Sequence, residues 1–422
     1  MLKRSYFGLL STISLSTFGD TFGLLAMEWM VYELTGSKLA MGALVLCSGI
    51  PELLIRLLGS PLSDRLNRVR LMAFLAAIRL LAIALPLGMG LAGHLQLWHL
   101  FAAAALSGAC SALFLPTAMA IVPGMAGDRK LMRAFAVIDG CKGAAALLGP
   151  ALAGVLTASS GAIPALGINA VCYAAAIATL LYLPKLARPQ EAAGSFSVQA
   201  YLREIAEGFS FYKQFPSMLV IMIMVSISNF SSIAVWTMMV PYVREVLQRD
   251  AAALGTLSTA SALGYLTGIS VVSLIGEVKH RRLVMLGSLC GMGIIIALWG
   301  LIPSYPFALT AAFSSAALGP FFGSISSALH GRLVPGSLQG RVNSIRFLIG
   351  GSLQPAGAFA GGVVAEVYGV PTLFLAAGLL PAVCAALATL LPVLRPLDGD
   401  LPAHPAETGP GGNNAALVTL AK

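Results

Sequence analysis

Long apolar segments recur along this chain, and they decide its fold class before any single residue is considered. Hydropathy places twelve of them, at about 6–32, 38–62, 70–92, 97–123, 131–157, 161–183, 217–243, 252–275, 282–303, 306–331, 341–365 and 370–394. Each approaches or exceeds the roughly 20 apolar residues that cross a bilayer as a helix. Backbone inside a bilayer must satisfy its own hydrogen bonds, which leaves helices or a closed barrel. Barrel strands read as ~10-residue alternating segments, and these runs do not alternate. The expected fold is an all-α membrane protein with twelve transmembrane helices. Only 10% of the residues are charged and 58% are hydrophobic, far from the roughly 25% charge of soluble domains.

Charge then orients the chain. The basic start MLKR leads into a long segment holding Asp20, with no small-residue cleavage site, so it reads as a first span and not as a cleaved signal. With the N-terminus in the cytoplasm, twenty of the 26 Lys and Arg fall on cytoplasmic segments. Three (Lys38, Arg244, Arg249) fall outside and three (Arg56, Arg79, Lys142) within spans. That bias follows the positive-inside rule. It places both termini in the cytoplasm, and it explains the net charge of +9 without a nucleic-acid partner. The six cysteines all sit in apolar runs and form no CxxC pair. No disulfide framework, metal site or cofactor is expected.

The chain divides into four parts: a six-helix bundle over 1–184, a cytoplasmic amphipathic linker over 185–216, a second six-helix bundle over 217–394, and a disordered cytoplasmic tail over 395–422. In the linker, Val198, Leu202, Ile205, Phe209 and Tyr212 recur at helical spacing on one face. The halves echo each other. SDRLNRVRLM (63–72) matches GEVKHRRLVM (276–285) at an offset of 213, and Ala153-Gly154 matches Gly361-Gly362 at an offset of 208. Two pseudo-equivalent bundles with a site between them is a transporter architecture. A monomer is expected.

One link carries most of the charge. Asp64, Arg65, Arg68 and Arg70 crowd into GSPLSDRLNRVRL, residues 59–71. This stretch resembles the loop between the second and third helices of the major facilitator superfamily, with Ser60 in place of the first glycine and Asn67 in place of the second. Asn tolerates the left-handed turn that position takes. STFGDTFGLLAMEWMVYELTGSKLAMG (16–42), EGFSFYKQFP (207–216) and LVPGSLQGRVNSIRFLIGGSLQPAGAFAGGVVAEVYG (333–369) are similar to the bacterial subgroup of that superfamily that holds the enterobactin exporter and macrolide efflux proteins. The resemblance covers residues 5–395. It implies alternating access, with Asp64, Arg65, Arg68 and Arg70 as a cytoplasmic gate whose carboxylate meets a helix N-terminus. Gly149, Pro150 and Gly154 resemble part of the family's antiporter motif in the fifth helix, and Pro355, Gly357 and Gly361 form a related set in the eleventh. Both are bend or packing elements. The arginine that many proton-coupled members carry in the fourth helix is missing.

Charges inside spans are costly and mark function. The first half carries Asp20, Glu28, Glu52, Arg56, Arg79, Asp139 and Lys142. Glu52 and Arg79 lie at matching depth on either side of the 63–69 hairpin, so they can pair; Glu52–Arg56 and Asp139–Lys142 have i,i+4 and i,i+3 spacing. Asp20 has no opposite charge within one turn. A lone carboxylate in low dielectric takes up a proton near neutral pH. Asp20 is therefore the first choice for proton coupling, with Glu52, Arg79, Asp139 and Lys142 as further candidates. Glu28 lies nearer the outer face. With Asn229, Trp236, Phe321, Phe322 and Gln354 it forms the expected substrate cavity, since aromatic and amide groups suit an amphipathic organic molecule. There is no HExxH, GxSxG or P-loop, which argues against an enzyme or ATP drive. The expected function is proton-driven export of a small organic molecule such as a siderophore or macrolide. Uptake of such a solute, or a sensor or scaffold without transport, are the alternatives.

Overall fold

A computed structural model of the chain describes residues 2–58, 67–126, 131–182, 203, 206, 209–334 and 338–398. Among these residues there are twelve helices long and apolar enough to cross a membrane, and no strand. They are α1 (Leu2–Thr35), α2 (Lys38–Leu58), α3 (Arg68–Leu91), α4 (Leu97–Ala126), α5 (Leu131–Ser160), α6 (Ala162–Leu181), α7 (Pro216–Thr237), α8 (Ala251–Ile275), α9 (Arg281–Leu301), α10 (Tyr305–Leu333), α11 in two pieces (Gln339–Ser352 and Gln354–Tyr368) and α12 (Val370–Ala388). The expected twelve-helix count holds.

Two helices differ from the expected spans for one reason. The seventh was expected to run to 243, but regular helix stops at Thr237; a short Met239–Pro241 piece and a π turn over Tyr242–Val246 follow. Pro241 has no N–H to return to Thr237, so the i→i−4 ladder breaks there. In α11 Pro355 has no N–H to give the Gly351 carbonyl its i+4 bond, so that carbonyl accepts from Leu353 N–H instead, and the helix restarts with Gly357 N–H donating to Leu353 O at 2.8 Å. At the start of α3, Asn67 adopts extended φ −64° and ψ 112°, and its side chain accepts from Arg70 N–H. It serves as an N-cap, not as the left-handed residue expected from the motif.

Contacts sort the described residues into two compact units that interleave in sequence. The first takes its residues from Met1–Gly194, Thr237–Thr259 and Ala358–Val367; the second from Ser195–Trp236, Ala260–Gly357 and Tyr368–Lys422. In the first unit α1 packs on α6, α5 and α4, α3 packs on α4 and α6, and α2 packs on α4. Its core includes Leu9, Ile13, Met72, Phe114 and Ile138. Two crossings bring backbones together. A Cβ on Gly42 of α2 would lie 2.7 Å from Ala358 O of α11, and one on Gly154 of α5 would lie 2.5 Å from Ala251 O of α8.

In the second unit α9 packs on α12 and α10. Residues 209–214 are helical. Burial there falls on Phe211, Tyr212 and Phe215 while Phe209 is exposed, so the buried face is rotated from the expected one. Val198, Leu202 and Ile205 lie outside the described residues. His330 Nδ1 donates to Ser326 O at 2.7 Å, which leaves Nε2 to accept from the Tyr212 hydroxyl at 3.2 Å. Burial pushes the Tyr212 phenol up to about 12, against an opposing pull from Arg346, so it keeps the proton it donates. The first residues of the expected tail form a 3-10 turn, Pro392–Leu397, with Leu394 and Leu397 buried. Residues 399–422 lie outside the described residues.

Candidate functional site

Three helices of the first unit bring charge together inside the spans. Arg79 on α3 donates through Nη2 to Asp20 Oδ1 on α1, and the Tyr173 hydroxyl on α6 donates to the same oxygen. Arg79 Nη1 donates to Ser16 Oγ at 3.0 Å. The guanidinium carbon lies 4.6 Å from the Tyr173 ring centroid and 5.6 Å from that of Phe114, within cation–π range. The Arg79 side chain is 4% accessible and that of Asp20 41%. Arg79 Nε is buried with no hydrogen-bond partner among the described residues.

Small residues make this meeting possible. A Cβ on Gly19 would lie 2.8 Å from Cys172 Cβ, and one on Gly23 would lie 1.8 Å from Asn169 Nδ2, so α1 and α6 sit closer than any larger residue allows. On the α5 side, a Cβ on Gly149 would lie 1.9 Å from Thr21 Oγ1. Gly149 therefore seats α5 beside the helix that carries Asp20.

The cluster corrects two expectations. Asp20 is not unpartnered, and Glu52 is not the partner of Arg79. Because α1 and α3 both pack on α4 and α6, whereas α2 packs only on α4 of those two, Arg79 meets Asp20 of α1. Glu52 pairs one turn along its own helix with Arg56, and Asp139 pairs with Lys142 at 3.6 Å. Sequence reasoning missed Ser16 and Tyr173.

A second polar group lies at the Lys38 end of the first unit, and it too was missed. Glu33 accepts from Trp29 Nε1 at 2.7 Å and from Arg244 Nη2 at 3.0 Å, and Arg244 stacks 4.5 Å over the Trp29 ring. Glu245 accepts from the Tyr32 hydroxyl at 2.6 Å and pairs with Lys38 at 2.8 Å. Glu366 on α11 accepts from the backbone N–H of Lys38 at 2.7 Å and of Leu39 at 3.3 Å. That carboxylate caps the N-terminus of α2, where the helix dipole favours an anion. Segments far apart in sequence are thus tied at one end by charge.

The other expected residues scatter. Asp64 and Arg65 lie outside the described residues. Arg68 Nη1 donates to Ala120 O at 2.9 Å, joining the ends of α3 and α4, and Arg70 is exposed. Glu28 is partly buried, with no hydrogen bond or ion pair among the described residues. Asn229 donates to Gly350 O at 2.8 Å, tying α7 to α11, and Phe322 is buried beside Ile221 and Leu286. Asn229 thus joins two helices while remaining partly accessible, and Phe322 is buried. Trp236, Phe321 and Gln354 are partly accessible. Pro150 lends its carbonyl to the α5–α8 crossing, 2.8 Å from where a Gly255 Cβ would sit. Gly357 meets Phe230 O of α7, and Pro355 is buried. The α11 contact with α2 is made by Gly362, whose Cβ would lie 2.8 Å from Lys38 O; it is the neighbour of the expected Gly361.

Comparison with known proteins agrees with this architecture. The chain is 23% identical to the multidrug efflux pump Tap of Mycolicibacterium fortuitum over 393 residues, 90% of this chain and 94% of Tap. It is 22% identical to macrolide efflux protein A of Streptococcus pyogenes over 382 residues, 89% and 92% of the two chains. A match to the uncharacterized transporter YfiS of Bacillus subtilis, at 27% identity, spans about half of each chain, 51% and 51%. Among solved structures, the fold matches the nucleoside transporter NupG with a TM-score of 0.70 at 15% identity, covering 92% of this chain and 98% of that one. It matches a bacterial homologue of the iron transporter ferroportin with a TM-score of 0.68 at 18% identity, covering 93% and 100%. The transmembrane secretion effector family matches residues 2–407. The chain is therefore a multi-pass membrane transporter that belongs to the transmembrane secretion effector family of the major facilitator superfamily.

Proposed function

We propose that this transporter exports small amphipathic organic molecules, drug-like or siderophore-like, from a bacterial cytoplasm across the inner membrane, and that proton influx drives it. The pairing of half-accessible Asp20 with buried Arg79 carries the reading. A proton arriving on Asp20 cancels the charge that faces Arg79. A buried guanidinium without its counter-charge costs several kcal/mol, so protonation favours another packing of α1 against α3 and α6. Loss of the proton restores the pair. This gives protons differential affinity for two states, which any ligand-driven conformational change requires.

The same reading assigns roles elsewhere. The Glu33–Arg244, Lys38–Glu245 and Glu366 contacts hold the outer side shut and part when substrate leaves. Asp64, Arg65, Arg68 and Arg70 close the cytoplasmic side in the alternate state. Glu28, Trp236, Phe321 and Gln354 contact substrate, with Glu28 favouring cationic groups. The efflux relatives Tap and macrolide efflux protein A support export over uptake.

Two experiments test this. Spent medium and cell extracts of a deletion strain and its parent, grown with and without iron, are compared by mass spectrometry; a compound lost outside and retained inside is expected. Purified protein in liposomes with an imposed pH gradient is then given that compound or a macrolide. Transport should follow the gradient in the wild type and lose that dependence in Asp20→Asn. Gradient-independent flux in the wild type would end the proton reading.

A further inference from the structure

We infer that the second unit holds a site for a carboxylate of the transported molecule: Arg346 of α11 grips the carboxylate, and the bare face of α10 at Gly319, Gly323 and Ser327 takes the flat body that bears it. The inference rests on the export reading above and adds to it the charge that a substrate carries. Arg346 lies inside its candidate span, seven residues from the start of α11, a depth of about 10 Å. An arginine that served only as an anchor would snorkel back toward the helix end. This one reaches sideways instead. Its Nη2 donates at 2.7 Å to Ser327 Oγ on α10, six residues from the end of that helix and so at similar depth.

The guanidinium is held in place while its charge is unmet. Ser327 donates its hydroxyl proton to Gly323 O at 2.8 Å, so toward Arg346 it can only accept. That is the single hydrogen bond of Arg346 among the described residues, and no carboxylate pairs with it there. The rest of its five-donor fork is open to a ligand. The titratable groups beside it, Tyr212 and His330, bond to each other at 3.2 Å and are both neutral in that bond. A charge held inside a span is costly and marks function. One guanidinium among neutral neighbours balances one negative charge. A carboxylate carries one and matches the planar fork, whereas a phosphate monoester carries nearly two.

The same contact borders open space. A Cβ on Gly319, Gly323 or Gly331 would meet nothing within 4 Å, and Gly323, Ser327 and Gly331 are exposed. These positions recur every four residues along one face of α10. Lipid tails against that face would meet a guanidinium, a hydroxyl and bare backbone, so the face borders a water-filled path. A flat ring system fits on the bare backbone with its carboxylate on Arg346, and a larger side chain at position 323 would lift it off.

The test uses the full-length protein purified in detergent, with rhodamine B and rhodamine B ethyl ester as probes. The two dyes share one xanthene cation and differ only in whether the benzoate is free, so any pull from Glu28 is common to both. Fluorescence anisotropy gives the affinity of each at neutral pH without a proton gradient. Rhodamine B should bind about tenfold tighter than its ester, the worth of one charge-assisted hydrogen bond. Arg346→Gln should weaken rhodamine B about tenfold and leave the ester unchanged, which also shows that the variant is folded. Arg346→Lys keeps the charge without the fork and should recover part of the loss. Gly323→Leu should weaken both dyes with every charge intact. Arg395→Gln removes an exposed charge elsewhere in the unit and should change neither. Equal wild-type affinities, or an equal effect of Arg346→Gln on both dyes, overturn the site and leave export standing. Binding of neither dye overturns the site together with the drug-like cargo of the export reading. Displacement of rhodamine B but not its ester, by phosphatidylglycerol or by millimolar inorganic phosphate, gives Arg346 to a lipid headgroup or a free anion and overturns the carboxylate site.

Discussion

Asp20→Asn keeps the shape of the side chain and deletes the charge that Arg79 faces. Arg79 then sits in a 4% accessible position with no counter-charge. Deleting one partner of a buried ion pair costs about 3–5 kcal/mol. Asp20 is itself 41% accessible and an asparagine oxygen still accepts from Tyr173, which places the loss at the lower end, about 3 kcal/mol. Arg79→Met strands the opposite partner, but a carboxylate that reaches solvent and keeps its Tyr173 bond loses about 1 kcal/mol. The double variant strands no charge, and replacing a whole ion pair is often close to neutral. It should therefore recover about 2 kcal/mol relative to Asp20→Asn alone. The assay is reversible unfolding of purified protein in mixed micelles of maltoside and dodecyl sulfate, followed by tryptophan fluorescence. Asp20→Asn within about 0.5 kcal/mol of wild type, or single effects that simply add within that margin, would refute the reasoning.

Other outcomes follow from the same contacts. Glu33→Arg should open the Lys38 end of the first unit, and adding Arg244→Glu should close it again; spin labels at Gly36 and Gln248 report the distance. Each such exposed pair contributes under about 1 kcal/mol, so a shift in populations without unfolding is expected. Glu366→Gln weakens the cap on α2 by about 0.3–1 kcal/mol and should move the same label distance the same way. Gly154→Val drives a side chain into Ala251 O; transport should fall at least tenfold, while Gly287→Ala, in open space, should leave it intact. The folded Tyr212 phenol titrates near 12 against 10.0 when free. Its contribution to stability is thus full below pH 10 and lost as pH rises toward 12, and Tyr212→Phe should flatten the stability profile over that window.

Fold was legible from the sequence because it rests on runs of apolar residues, which are local. The cluster was only half legible. Asp20 and Arg79 each stood out as charges inside spans, but partner choice depends on which helices touch. Counted from the expected span starts at 6 and 70, Asp20 lies fourteen residues and Arg79 nine residues into parallel helices, which gives comparable depth but does not say which helices are neighbours. Nothing local marks Tyr173 or Ser16, since a tyrosine and a serine are ordinary in a span. The Glu33, Glu245 and Glu366 contacts were invisible for another reason. They lie near helix ends, where charge is unremarkable, and their partners are more than 200 residues away.

The two backbone crossings of the first unit are one joint made twice. Gly42 and Gly255 stand 213 positions apart, and Gly154 and Gly362 stand 208 apart, the offsets of the internal repeat. Gly42 faces α11, where Gly362 reaches back toward it, and Gly255 faces α5, where Gly154 does the same. Glycine surfaces have no side chains to interdigitate, so these joints can part without extracting a knob from a hole. Such joints are specified by backbone shape, with close van der Waals contact in place of interlocking side chains. Duplication doubles exposure to error: a methyl group added to either glycine pair meets backbone atoms at under 3 Å and wedges that crossing apart.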